Sequence, residues 1–337
     1  MRVFLVQTAR GLFSSSGGYK ANICLLRYLA SQGHAVRQLC YFYHNEVEDY
    51  VRRMAQTGSG EIKVCRRVLQ VRGDNIVSGV DVAVVQLIME DGVEIIALEK
   101  EAFDVAFGGK ERLHEEMARE TALYIEVTVL FYRCVDFGLA KRSLANNDFE
   151  QNGRLSTRLS DFVTFLQNEI RAFSPSHIIS NDGLSMQASS ASELPGLDLC
   201  RIAVIHTAEQ LPFGPFAGGI PGQTSSLREY GLLRQLDGIW SVSRAIKDYA
   251  TKYGQLQTDF FVHHPWTYLE ETSHELPVQM HNWDQKFIGM INPCAVKGSS
   301  ILLDLVKACP HLNFLVYKSW GFNDILEREM KCLQNIT

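Results

Sequence analysis

A chain of 337 residues is longer than one hydrophobic core usually serves, so two domains are expected. With 46% hydrophobic and 21% charged residues it reads as neither disordered nor fibrous, and a net charge of −5 without a basic block argues against nucleic acid or an anionic membrane as main partner. No apolar stretch is long enough to span a bilayer, the apolar run in MRVFLVQTAR is short and broken by Arg10, and a cytoplasmic protein without a transmembrane segment is expected. Eight cysteines lie scattered with no CxxC pair, a pattern that fits reduced, mostly buried thiols rather than zinc or disulfides.

In chain order, RVFLVQ (2–7) reads as a strand. SSSGG (14–18) precedes a helix whose apolar stripe would be Ala21, Cys24, Leu25, Tyr28 and Leu29, and Gly33 stops it. VRQLCYFY (36–43) resumes as a strand, which makes a β-α-β unit of the kind that builds parallel sheets. VAVVQLIMEDGVEIIAL (82–98) carries a hairpin signal at Asp91-Gly92, so an antiparallel excursion is placed in about 61–110. Residues 111–150 are ambiguous between helix and strand.

Leu159, Phe162, Val163, Leu166, Ile170 and Phe173 form a second helical stripe, closed by Ser174-Pro175. HIISNDG (177–183) is a strand and turn, and RIAVIH (201–206) is a buried strand ending on a histidine. A loop rich in proline and glycine follows, then a helix near 224–236. IWSVS leads to a helix that Ser243 caps and Gly254 closes. TDFFVHHPW (258–266) reads as a strand leaving the domain, and 267–284 as a linker. FIGMI starts a new β-α-β unit whose helix 299–309 opens at Lys297-Gly298, with LNFLVYK as the second strand.

Some of these residues carry chemistry on their own reading. A strand-to-helix turn offers free N–H groups and a partial positive charge, and Lys297 beside Gly298 makes that an anion site; otherwise the lysine is simply solvated. His206 ends a buried strand at the edge where open α/β sheets bind ligands, although core histidines are common on such runs. Asp182 holds a similar strand end, where a plain Asn-Asp-Gly turn explains it equally well. Phe213 and Phe216 lie in a loop that either walls an acceptor pocket or merely connects. His263 and His264 lack a third ligand at sensible spacing and read as structural, so no metal site is expected.

GGYKANICLLRYLASQGHAV (17–36), DGIWSVSRAIKDYATKYG (237–254), FFVHHPW and FIGMINPCAVKG together resemble, in order, the landmarks of family 4 glycosyltransferases with the GT-B fold. The match spans nearly the whole chain except about 45–150. The resemblance implies an α/β protein of two Rossmann-like domains facing each other across a cleft: an acceptor-side domain 1–266, a linker 267–284, and a donor-binding domain beginning at 285. It implies a metal-independent, configuration-retaining transfer, with a nucleotide sugar as co-substrate, no further cofactor, and a small-molecule, glycan or lipid acceptor. Lys297 and Gly298 would hold the diphosphate, Gly17 and Gly18 would press backbone against it, and His206 would contact sugar or acceptor. Asp182, Phe213 and Phe216 would line the acceptor side.

Two departures stand against the family pattern. Asn292 occupies the place, five residues before Lys297, where the family often has arginine. No Glu-x7-Glu pair occurs in the chain, and QNIT at its end reads as the start of a further strand, so a partial donor domain is expected in 285–337, with LNFLVYK as an unpaired edge. The alternative is a catalytically degenerate binding or partner subunit.

Overall fold

The structure is a computed structural model that describes residues 1–11, 17–43, 45–57, 63–71, 80–89, 91–99, 157–181, 183–192, 194–216, 227–264, 286–319 and 322–337. Described residues through His264 belong to one compact unit, and those from Lys286 onward to another.

The first unit is built on a sheet of nine strands among the described residues. In chain order its elements are β1 (Arg2–Gly11), α1 (Gly17–Ser31), β2 (Ala35–Phe42), α2 (Glu46–Thr57), β3 (Lys63–Val71), β4 (Val80–Ile88), β5 (Glu94–Glu99), α3 (Thr157–Phe173), β6 (His177–Ser180), α4 (Gly183–Ser189), β7 (Cys200–Ile205), α5 (Leu227–Leu233), β8 (Gly238–Ser241), α6 (Arg244–Gly254) and β9 (Asp259–Val262). The strand order is β3-β4-β5-β2-β1-β6-β7-β8-β9. All neighbours from β5 to β9 pair in parallel; β4 runs antiparallel to β5, and β3 to β4.

Parallel strands buried on both faces read as continuous apolar runs, and Val3, Phe4, Leu5 and Val6 are all buried. Leu5 and Val3 face a cluster with Leu26 of α1, Val47 of α2, Leu233 of α5 and Ile246 of α6. Phe4 and Val6 face the opposite cluster, with Val163, Leu166, Ile170 and Phe173 of α3. The hairpin at Asp91-Gly92 forms as expected, with Ile88 opposite Glu94. Its strand β5 also joins β2 in parallel, so the antiparallel excursion continues the main sheet rather than standing apart from it.

Two local expectations change. The buried face of α1 runs through Tyr19, Ala21, Asn22 and Leu26; of the expected stripe Ala21 is buried and Leu25 and Leu29 pack against the core, while Tyr28 is 61% exposed. A stripe of apolar letters could not reveal that a buried asparagine belongs to the inner face. Gly254 is the last residue of α6, and Gln255 takes the left-handed cap with φ 47°. Gly254 is small because a Cβ there would overlap the Phe213 ring. The strand read in 258–266 forms as β9, a parallel edge strand on β8 within the first unit.

The second unit contains β10 (Phe287–Ile291), α7 (Ser299–Ala308), β11 (Asn313–Tyr317) and α8 (Asp324–Lys331). β10 and β11 pair in parallel, the crossover read from the sequence. Leu302, Leu303, Val306, Phe314, Leu326 and Met330 form its core. The expected unpaired edge at LNFLVYK is not observed. Ile336 bridges Phe314 in parallel, Phe314 N–H donates to Asn335 O (2.8 Å), and Val316 N–H donates to Thr337 O (2.8 Å). Three closing residues suffice, because strand pairing needs only backbone groups in register.

Candidate active site

In the first unit the carboxyl ends of β6 and β7 carry a connected set of amides around His206. The ring Nε2 lies 3.0 Å from Asn22 Oδ1. Asn22, fully buried on α1, donates through Nδ2 to Gln7 Oε1 at 2.9 Å, with Asn181 Oδ1 at 3.5 Å. Gln7 follows Val6, where the β1–β6 pairing ends at Ser180, and Asn181 is the residue after β6. Gln210, in a single 3-10 turn after β7, accepts from the His206 and Thr207 N–H groups at 2.6 and 3.1 Å. Its Nε2 donates to Asn181 O at 3.1 Å, tying the turn after β7 to the end of β6.

One face of the His206 ring is against Gly18, where a Cβ would sit 3.2–3.4 Å from Cδ2, Cγ and Nε2. Any side chain at position 18 would crowd the imidazole, so the glycine serves close packing here as well as the helix start. Trp240 meets the ring edge-on, with centroids 6.1 Å apart. Gly17 is exposed at the first position of α1.

The loop after the 3-10 turn is pinned by aromatic side chains. Phe213 packs edge-on against Tyr230 and near-parallel to Tyr249, and its ring fills the space left by Gly254. Tyr249 OH accepts from Phe216 N–H (2.8 Å) and donates to Phe213 O (2.9 Å); burial pushes this phenol up, so it keeps its proton. Phe216 stacks over Tyr249 and is 55% exposed. Of the two phenylalanines, Phe213 anchors the loop and Phe216 presents a ring to solvent. Asp182 lies outside the described residues.

In the second unit, Asn292 follows β10 in the left-handed region with φ 57°, which asparagine tolerates better than most residues. Its N–H donates to Tyr317 O (2.8 Å) and its carbonyl accepts from Cys294 N–H (2.8 Å). Its side chain is 6% exposed, and Oδ1 has no hydrogen-bond partner among the described residues. Ala295–Lys297 make a 3-10 turn, Gly298 turns with φ 85°, and α7 begins at Ser299 with no side chain capping it among the described residues. The first turn of such a helix lacks intrahelical acceptors for its N–H groups, and Lys297 stands exposed beside it. Asn292, Lys297 and Gly298 therefore lie along one segment that leaves the carboxyl end of a parallel strand.

The His263 carbonyl accepts from Trp240 Nε1 (3.3 Å), and His264 Nδ1 lies 3.2 Å from Val242 O. No group of three His, Cys, Asp or Glu side chains among the described residues could hold a metal ion.

No protein-family model matches the sequence, and no curated protein matches it. Solved structures do match. TarM aligns over 99% of this chain and 75% of its own, at 7% identity and a TM-score of 0.50. A point mutant of Staphylococcus aureus TarM, in complex with fondaparinux, α-GlcNAc-glycerol and UDP, aligns over 100% and 77% at 8% identity with the same TM-score. A trehalose 6-phosphate synthase from Burkholderia multivorans aligns over 100% and 72%, at 10% identity and 0.46.

The fold is GT-B. At such low identity the likeness speaks for the fold and for nothing finer. Within the described part of this GT-B chain, Gly18 lies against the His206 ring, and Asn292, Lys297 and Gly298 lie along the segment that joins β10 to α7. Asn22, Gln7, Asn181 and Gln210 were missed by sequence reasoning. The available signals were a glutamine closing the apolar run RVFLVQ and an asparagine on the inward side of α1.

Proposed function

We propose that the protein is a glycosyltransferase that moves a sugar from a nucleotide-sugar donor to an acceptor hydroxyl, with retention at the anomeric carbon and without a metal. One observation carries the reading: His206 and the Asn292–Gly298 turn each lie at the carboxyl end of parallel strands in a chain that follows TarM along nearly its whole length. That edge is where open α/β sheets hold ligands.

The diphosphate leaving group gathers negative charge as the glycosidic bond of the donor breaks. The Lys297 ammonium and the first turn of α7, which no described side chain caps, would stabilise that growing charge more than they stabilise the bound donor, and that difference lowers the barrier. Asn292 contributes no charge. Its amide oxygen is enclosed, so it would meet phosphate through its NH2 group. Gly17 and Gly18 would offer backbone to the donor, and His206 would face sugar or acceptor. Asp182 and the exposed ring of Phe216 would border the acceptor, with Phe213 holding the loop in place. A small molecule, glycan or lipid would serve as acceptor, and the reading includes a cytoplasmic location.

The neutral Asn292 favours a second reading, in which the protein binds a nucleotide sugar or partner without transferring sugar. The two part in one experiment. Nucleoside-diphosphate release is measured from a panel of nucleotide sugars, starting with UDP-sugars, with and without EDTA, and product configuration is read by NMR. EDTA-insensitive release with a retained anomer supports transfer. Donor binding by calorimetry with no release against any acceptor supports the binding protein.

A further inference from the structure

We propose that Asn22 is a positioning residue for His206: together with Gln7 it holds the imidazole as the Nε2–H tautomer and fixes its orientation in the sheet edge. The inference rests on the reading of His206 as a site residue, but its test does not depend on activity.

The chemistry follows from donor and acceptor inventory. Gln7 and Asn22 are both fully enclosed, and Asn22 Nδ2 lies 2.9 Å from Gln7 Oε1 and 3.5 Å from Asn181 Oδ1. Both neighbours turn their amide oxygens toward it, so this end of the Asn22 amide is its NH2 group. The other end, Oδ1, can only accept, and the ring nitrogen 3.0 Å away must then carry the hydrogen. Nδ1 is consequently the basic nitrogen of the neutral ring. A carboxylate at position 22 would also accept from Nε2–H, but it would favour the charged imidazolium. An amide fixes the tautomer without adding charge.

Three further contacts fix the ring in place. Gly18 lies against its face, Trp240 against its edge, and Gln210 holds the backbone N–H of His206 itself. Tautomer control of a functional histidine by a neighbouring hydrogen bond is a general device. Here the controlling group is an amide whose own direction is set by a second amide.

The full chain is labelled with 15N-histidine, and His206 is assigned by comparison with His206→Gln. A protonated-type shift at Nε2 and an unprotonated-type shift at Nδ1 are expected above the titration range of the ring. Asn22→Leu removes the acceptor and should shift a substantial fraction of the ring to the Nδ1–H form. Gln7→Met is the second variant: it frees the Asn22 amide to reverse, with the same direction of tautomer change. Asn22→Asp, the conservative variant, should retain Nε2–H. Finding Nδ1–H in the parent protein overturns the proposal, as does an unchanged tautomer in folded Asn22→Leu and Gln7→Met. A confirmed tautomer in a protein that releases no nucleoside diphosphate would instead overturn the transferase reading and leave this one standing.

Discussion

Lys297 is the one cation of the Asn292–Gly298 turn, and it is exposed beside first-turn N–H groups that no described side chain caps. Replacing it with alanine should weaken nucleoside-diphosphate binding by about 1.5–3 kcal/mol, the size of a hydrogen bond to a charged group. Isothermal calorimetry checks this, and unchanged affinity removes the lysine from the site. His206 is a different kind of residue, half-buried and ringed by Gly18, Asn22 and Trp240. His206→Ala should lower turnover far more than it lowers the melting temperature. Normal turnover in a protein with a markedly lower melting temperature would assign the ring to packing alone. Both positions were conspicuous in the sequence for standing where a strand gives way to a turn.

At the level of elements, the loop after β7 is held by aromatic packing against α5 and α6 rather than by apolar periodicity. Phe213 lies between Tyr230 and Tyr249, and Tyr230 OH donates to Gly254 O at 2.6 Å. Gly254→Ala forces a methyl group into the Phe213 ring and should destabilise by about 1–3 kcal/mol, as overpacking does. Gly231, in the middle of α5, has nothing among the described residues within 4 Å of where a Cβ would be. Gly231→Ala should therefore stabilise by about 0.5–1 kcal/mol through helix propensity and a less flexible unfolded chain. Urea titration of both variants tests the pair together, and equal signs would mean that the packing around Phe213 has been misjudged. The sequence read Gly254 as the stop of its helix and placed Gly231 inside the helix near 224–236. Only the approach of a residue from a separate loop distinguishes them.

Across the whole molecule, the two units have separate cores of unequal size. The first unit buries two clusters, one on each sheet face, while the described part of the second buries the cluster around Val306 and Phe314. Smaller cores hold a smaller surplus of burial over chain entropy. Free cysteines report on each: Cys40 lies in the first unit's core, Cys294 is buried in the second, and Cys65 and Cys332 are exposed. Burial also pushes the Cys40 thiol up, so little nucleophilic thiolate forms while the core is closed. Iodoacetamide labelling read by mass spectrometry should modify Cys65 and Cys332 in the native protein. As urea rises, Cys294 should become reactive before Cys40. Simultaneous exposure would show that the two units unfold as one.

The sequence by itself determined the parallel architecture. Hydrophobic periodicity is local, and each β-α-β unit carries its own signals, from the stripe on α3 to the crossover Phe287–Tyr317 that the structure reproduces. It also marked His206 and Lys297-Gly298, because strand ends and turn glycines are visible in short windows. Tertiary structure alone decided the neighbours of those residues. Asn22 meets His206 from 184 positions away, and β2 lies between β1 and β5, a crossover that no window of residues contains. The same is true of Gln7, the polar residue that closes the apolar run RVFLVQ. It is enclosed because α1 and β6 close over it, and buried amides must find partners wherever the fold brings them. Local letters specify which elements form. Long-range packing specifies which polar groups are removed from water together, and the candidate site is made of those groups.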